Sequence, residues 1–237
     1  MLGLFLFFLA GSDGTKIAPP AHMFWAWEKP EDLYSLPIDK AGIALLVQTL
    51  RLSEKGVMAL KRRQKIQYPP GVYMLATTRI EVNPGTTPEQ LNSLMPTVLN
   101  HLRPFLKDPR FNGIQIDFDA TVSQRAFYRK LVQAVHMEMP SDLWFSVTCL
   151  ASWAVSDAWL ADFPVDEWVP MYFQMGLDGP TIQRHLKKDK RLRLSTHSAG
   201  LDPNEKVPLP ASIDRIYWFQ RPTWTEDTVQ NCLKVVP

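Results

Sequence analysis

Asp117 and Asp119 stand two residues apart in the segment Asn112-Gly-Ile-Gln-Ile-Asp-Phe-Asp119. On a β-strand alternate side chains share a face, so Gln115, Asp117 and Asp119 form one polar row backed by Ile114, Ile116 and Phe118. Polar groups on an otherwise apolar strand are costly unless water, a partner or a substrate compensates them. Two neighbouring carboxylates can trade a proton and stabilise positive charge, which is the equipment of general acid–base catalysis. Side chains two residues apart on one strand can lean together or apart, so the spacing alone does not fix how two carboxyl groups would divide the work.

Something must hold that row at a surface. From His22 onward, apolar strand-like runs alternate with helical or turn-like segments. Strands are expected at Met23–Glu28, Gly42–Leu52, Val72–Val82, Gly113–Asp119, Leu143–Trp153, Glu167–Met175, Arg191–His197 and Asp214–Phe219. Between them, Thr87-Pro88-Glu89-Gln90 has the form of a capping box with proline at the first helical position. Ser123 is expected to cap a second helix, a short helix to run from Ala158 to Phe163, and a basic one from Thr181 to Lys188. Thr225 opens the last helix. Eight such strands predict an α/β fold, a compact (β/α)8 barrel of the TIM type with some short or irregular crossovers. An open α/β sheet is the fallback. Gly56–Gln67 reads as a hairpin arm or exposed loop. Residues 22–237 form one domain, preceded by a signal-like apolar segment and linker over 1–21.

In a barrel of this kind chemistry collects at the carboxyl ends of the strands. Those ends gather Glu28, Arg79, Glu81, Asp117, Asp119, Gln174 and His197, with Trp25, Trp27, Trp153, Tyr172 and Trp218 beside them. Carboxylates among aromatic rings suit a sugar, whose apolar faces stack while its hydroxyls take hydrogen bonds. Structural roles stay open residue by residue. Arg79 can be an ion-pair partner of Asp117 across neighbouring strands, Trp25 and Trp27 can fill the core, and His197 can be an interior histidine. Glu28, Glu81 or Glu226 can supply a second acid across the mouth.

Composition narrows the rest. Hydrophobic residues make up 46% of the 237-residue chain and charged ones 21%, which suits a folded domain with a sizeable core. A net charge of +2 gives no basis for nucleic-acid binding, and the basic runs at 61–65 and 187–191 are short. Cys149 and Cys232 are far apart, no CxxC or His cluster suggests a metal, and no cofactor is expected. A phosphate-binding glycine loop and a Schiff-base lysine at a strand end are both missing, which ranks oxidoreductase and aldolase chemistry low. Leu2–Ala10 is almost wholly apolar, too short to span a bilayer, and fits the core of a secretory signal. Export to the periplasm or outside the cell is therefore expected, with an apolar segment packed on the domain as the alternative. Membrane contact would come only through that segment if it is uncleaved.

The Gly113–Asp119 strand resembles the DGxDxDxE motif on the fourth strand of the chitinase-like family 18 glycoside hydrolases. Asp117 matches its inner Asp, Asp119 takes the place of the catalytic Glu, and Gln115 replaces the first Asp. Met171-Tyr172-Phe173-Gln174 is similar to that family's MxYD, and Trp218 stands where those enzymes place the Trp under the sugar. Over most of its length the chain is identified as similar to a bacterial family known as domain of unknown function 3142. That likeness lies in the Phe-Trp-Ala-Trp-Glu, Arg-Ile-Glu, Gly-Ile-Gln-Ile-Asp-Phe-Asp and Ser-Val-Thr-x-Leu-x-Ser-Trp strands. The resemblance implies a glycan-acting barrel with Asp119 as acid and Asp117 assisting, and Tyr172 and Gln174 positioning the substrate. The alternative is a non-catalytic carbohydrate-binding or scaffold barrel. Relative to the motif, Asp119 is one methylene short. The missing charges at Gln115 and Gln174 should also leave it less upward pressure on its pKa.

Overall fold

Alternation along the apolar runs turns one face of each strand inward, and the inward faces close on one another. The computed structural model describes residues 15–157, 159–188 and 192–236. Strand β1 (His22–Ala26) leads to a two-residue strand, β2 (Glu31–Asp32), and then to the long β3 (Ala41–Ser53). There follow β4 (Gly56–Lys61), the short β5 (Ile66–Gln67), β6 (Tyr73–Val82), β7 (Gly113–Asp117) and β8 (Trp144–Leu150). The last three are β9 (Glu167–Met171), β10 (Ser198–Leu201) and β11 (Arg215–Trp218). In the order β1, β3, β6, β7, β8, β9, β10 and β11, eight strands pair in parallel, and β11 returns to β1. The barrel is closed, of the (β/α)8 TIM type.

The arm expected at residues 56–67 is β4, paired antiparallel with β3 from Gln48↔Lys61 to Ser53↔Gly56. Helices α1 (Pro88–Leu102), α2 (Arg125–Glu138), α3 (Gly179–Lys187) and α4 (Glu226–Leu233) follow β6, β7, β9 and β11. The other crossovers are irregular. At α1 the Thr87 hydroxyl accepts from the Gln90 N–H, and the Gln90 carboxamide accepts from the Thr87 N–H. Thr121 takes the place expected for Ser123, because the Thr121-x-x-Gln124 spacing closes the capping box and leads into α2 through a single 3₁₀ turn.

Two further elements differ from expectation. In place of a helix at 158–163, Trp153–Asp157 forms a π-helical turn followed by turns over Trp159–Asp162. The seventh barrel strand is Ser198–Leu201, later than the expected 191–197. Leu192, Leu194 and Thr196 alternate like a strand, but the Arg193 and Leu194 N–H groups go to the Ala154 carbonyl and the Thr196 hydroxyl to that of Trp168. No neighbouring strand is left for them. Small residues belong at β10, since a side chain on Gly200 would meet the Trp25 ring at 2.8 Å.

Apolar packing has two compartments. Phe24, Ile43, Ile116, Phe127 and Leu131 fill the layer between strands and helices, while Met23, Trp25, Tyr73, Leu75, Val169 and Tyr217 fill the barrel. At its amino-terminal end the barrel is plugged by Glu167. This buried carboxylate accepts from Arg215 Nη1 (2.8 Å), the Tyr217 hydroxyl (2.6 Å), Trp144 Nε1 (3.3 Å) and the Ser198 hydroxyl. Residues 15–21 lie across that end. Lys16 pairs with Asp166 at 2.8 Å, Tyr73 donates to the Ile17 carbonyl, and Arg215 donates to those of Pro19 and Pro20. Contacts of the barrel therefore reach back through what the sequence presents as linker, while the apolar run 2–10 lies outside the described residues. Both cysteines are buried and free. No described helix is long and apolar enough to cross a membrane.

Candidate active site

Asp117 is the last residue of β7, and its register partner on β6 is Arg79. The pleat that points Gln115 into the barrel points Asp117 the same way, one layer higher. Thr148, inward on β8, donates its hydroxyl to Asp117 Oδ1 at 2.6 Å, and Arg79 Nε lies 3.9 Å from Oδ2. Burial pushes the Asp117 pKa upward, against the pull of the Thr148 bond and the Arg79 charge. Asp119 comes two residues later on irregular backbone, freed from the pleat. Its side chain reaches water, yet it sits deep within a concavity. Loss of solvent around it, reinforced by the charge of Asp117 and opposed by Arg79, lifts its pKa to about 6. Counting neighbouring charges alone misses this, because the cleft wall supplies the larger share of the upward push.

That concavity holds about 680 Å³ at the carboxyl ends of the strands. β1 contributes Trp25 and, just beyond it, Trp27 and Glu28; β6 gives Arg79; and Asp117 and Asp119 form one wall. Ser152 follows β8, and Phe173, Gln174 and Asp178 follow β9. Phe219, Gln220 and Arg221 follow β11. The Phe173 and Phe219 rings stack with centroids 4.8 Å apart and planes 13° from parallel, and Trp27 meets Phe219 edge-on at 6.2 Å. Gln174 holds a left-handed backbone (φ 51°), rare for a residue with a side chain and a known companion of functional sites. Its N–H donates to the Glu205 carboxylate, and its side-chain oxygen accepts from Arg221 at 3.0 Å.

Comparison with protein-family models, with curated proteins and with solved structures finds no match to this chain. Its site therefore rests on its own geometry.

Of the residues expected there, Glu28, Arg79, Asp117, Asp119 and Gln174 line one cleft. Others do not. Gln115 lies fully buried beneath it, its carboxamide accepting from Trp25 Nε1 (2.7 Å) and the Thr77 hydroxyl while donating to Ser146, so it braces the barrel interior. Trp153, Tyr172 and Trp218 are buried in the strand–helix layer. Tyr172 and Trp218 each follow an inward-facing neighbour, Met171 or Tyr217, and so point outward; the Trp218 indole donates to His22 Nδ1 at 3.2 Å. His197 precedes β10 and lies at the opposite end of the barrel, exposed, 3.5 Å from the Asp214 carboxylate. Glu81 sits on the extension of β6, paired with Arg51 (2.8 Å) and Arg79 (3.3 Å) outside the cleft lining. Glu226 opens α4 and does not line the cleft, which leaves Glu28 as the lining member of the three expected second acids.

Trp25 fills the barrel against Tyr217 and forms the cleft floor, while Trp27 forms its side. Phe173 and Phe219 were legible by parity, each being two residues beyond an inward-facing strand residue; Asp178 and Arg221, on loops, carried no such signal. Among the described residues, no three His, Cys, Asp or Glu side chains gather as metal ligands.

Proposed function

We propose that the chain hydrolyses a glycan in this cleft, with Asp119 as the general acid and Asp117 assisting. The observation that carries the reading is a water-accessible carboxyl with a pKa of about 6, beside a second, buried carboxyl in an aromatic-walled cleft. A group with that proton affinity is substantially protonated in mildly acidic solution and can donate to a glycosidic oxygen. As the bond from that oxygen to the anomeric carbon breaks, positive charge grows on the sugar ring. Asp117, oriented by Thr148, faces that charge from the same wall. Water then adds its oxygen to the anomeric carbon and gives a proton to Asp119, now ionised, which restores the acid. The stacked Phe173–Phe219 pair and Trp27 offer apolar ring faces to a pyranose, and Gln174, Arg79 and Glu28 offer polar groups to its hydroxyls.

Asp in place of a Glu shortens the acid by one methylene. Because Asp119 lies beyond the regular strand, its backbone is free to make up that reach.

Release of reducing ends from β-linked glycans, compared between wild type, Asp119→Asn and Asp117→Asn, tests the reading. Loss of turnover by about a hundredfold or more in Asp119→Asn is expected for removal of a general acid. Turnover that survives both substitutions would refute the assignment. Tight glycan binding with no turnover by the wild type would select a carbohydrate-binding barrel instead.

A further inference from the structure

The charges lining the cleft narrow the class of glycan. Five carboxylates line it, from Glu28, Glu31, Asp117, Asp119 and Asp178, against three cations, Lys29, Arg79 and Arg221. Two of the carboxylates are compensated from within. Asp117 has Thr148 and Arg79, while buried Glu31 accepts the Trp224 N–H at 2.8 Å and lies in the field of Lys29 and Arg62. Arg79 is further committed to Glu81. Asp119 keeps its proton in its role as acid, which leaves Glu28 and Asp178, and neither forms an ion pair with a described residue. Arg62 reaches Glu28 through its field alone, and the Arg221 guanidinium donates to the Gln174 side chain.

Unpaired carboxylates beside apolar walls attract the opposite charge. A uronate would be repelled by these two groups, and a neutral sugar would leave both without a counter-charge. An ammonium on a pyranose ring would meet carboxylate oxygens while its ring face lies on the Phe173–Phe219–Trp27 wall. We infer that the substrate carries free amino groups: a glycan containing unacetylated amino sugars. This rests on the glycan-acting reading of the same cleft. The aromatic wall favours a sugar over a basic peptide, because flat rings match the apolar face of a pyranose.

The test uses the full chain carrying Asp119→Asn, so that ligand is bound without turnover. Glucosamine tetramers with β-1,3, β-1,4 and β-1,6 linkages, each in free-amine and N-acetylated form, are titrated by calorimetry at mildly acidic pH and at low and high salt. For at least one linkage, the free-amine form is expected to bind about tenfold tighter at low salt, from two ammonium–carboxylate contacts. High salt should shrink that ratio. Adding Glu28→Gln and Asp178→Asn should erase it; both residues are exposed, and circular dichroism checks that the fold persists. Equal or tighter binding of the acetylated forms overturns the inference and leaves the glycan reading standing. Tetralysine binding as well as the best glucosamine tetramer overturns it in favour of a basic peptide. If no tetramer binds, the inference falls together with the glycan reading.

Discussion

Asp117 and Asp119 belong to one polar row, and the protein treats them in opposite ways. Asp117 is locked by a 2.6 Å bond and a nearby guanidinium; Asp119 is left unbonded at the cleft wall. The consequence for pH runs in one direction. Asp119 has its folded pKa raised from 3.8 to about 6, so the fold favours its protonated form. The stability this contributes is full below the ordinary carboxylate pKa and is lost as pH rises through about 6. Asp119→Asn should therefore raise the melting temperature at about pH 8 and change it little at about pH 4, a contrast that calorimetric scans at the two pH values would read. If it acts as general acid, the wild type's kcat should fall above pH 6 or so, by about tenfold per pH unit. A kcat that instead rises through that range would assign Asp119 as a base. Thr148 offers a second test. It is wholly buried, and Thr148→Val strands Asp117 Oδ1 without its donor, at a cost of about 1.5–3 kcal/mol in chemical denaturation. Turnover should fall through kcat more than through KM, and Thr148→Ser, which keeps the hydroxyl, should restore it. Loss of kcat in the serine variant equal to that in valine would count against the hydrogen bond as the cause.

At the scale of elements, strand existence was legible and strand parity decided the rest. The apolar runs that became β1, β3, β6, β7, β8, β9 and β11 stand within a few residues of their expected bounds, because burial on both faces of a barrel strand leaves an uninterrupted apolar signal. β10 was misplaced because three small residues before a single leucine carry little hydrophobic signal, whereas the alternating Leu192–Thr196 loop mimics a strand. That error alone carried His197 to the wrong end of the barrel. Tyr172 and Trp218 were gathered into the site by being near strand ends, although alternation from Met171 and Tyr217 turns both outward. Asp117 and Arg79 reach the cleft because residue type and strand parity agree, and Asp119 reaches it from the irregular backbone just beyond β7. The close approach of β7 and β8 was not visible in the sequence at all. A Cβ on Gly113 would lie 2.1 Å from the Trp144 carbonyl oxygen, so the two strands must part to admit it. Gly113→Ala should lower stability by about 1–3 kcal/mol, read from denaturant midpoints. Since β7 carries Asp117, turnover should drop as well; unchanged stability would mean that this strand pair yields more easily than its packing implies.

The whole molecule is a barrel closed at one end and open at the other, and the closure is built partly from chain that precedes the first strand. Its floor depends on Glu167, whose acceptor capacity is filled by Arg215, Tyr217, Trp144 and Ser198. Arg215 in turn has its Nε bonded to the carbonyls of Pro19 and Pro20, and the Tyr73 hydroxyl to that of Ile17. Removing residues 15–21 would leave a largely buried guanidinium and a buried phenol without these acceptors, at about 1–3 kcal/mol for each. The Lys16–Asp166 pair is partly exposed and adds less than about 1 kcal/mol. A chain beginning at His22 should therefore melt about 10 °C lower than one beginning at Thr15, given some 2–4 °C per kcal/mol for a domain of this size. The cleft lies at the far end of the barrel, so the shorter chain, assayed well below its melting temperature, should keep its KM while losing thermal tolerance. Equal melting temperatures for the two truncations would show that the floor is held by Glu167 and its partners alone, and a changed KM would show that the two ends of the barrel are coupled.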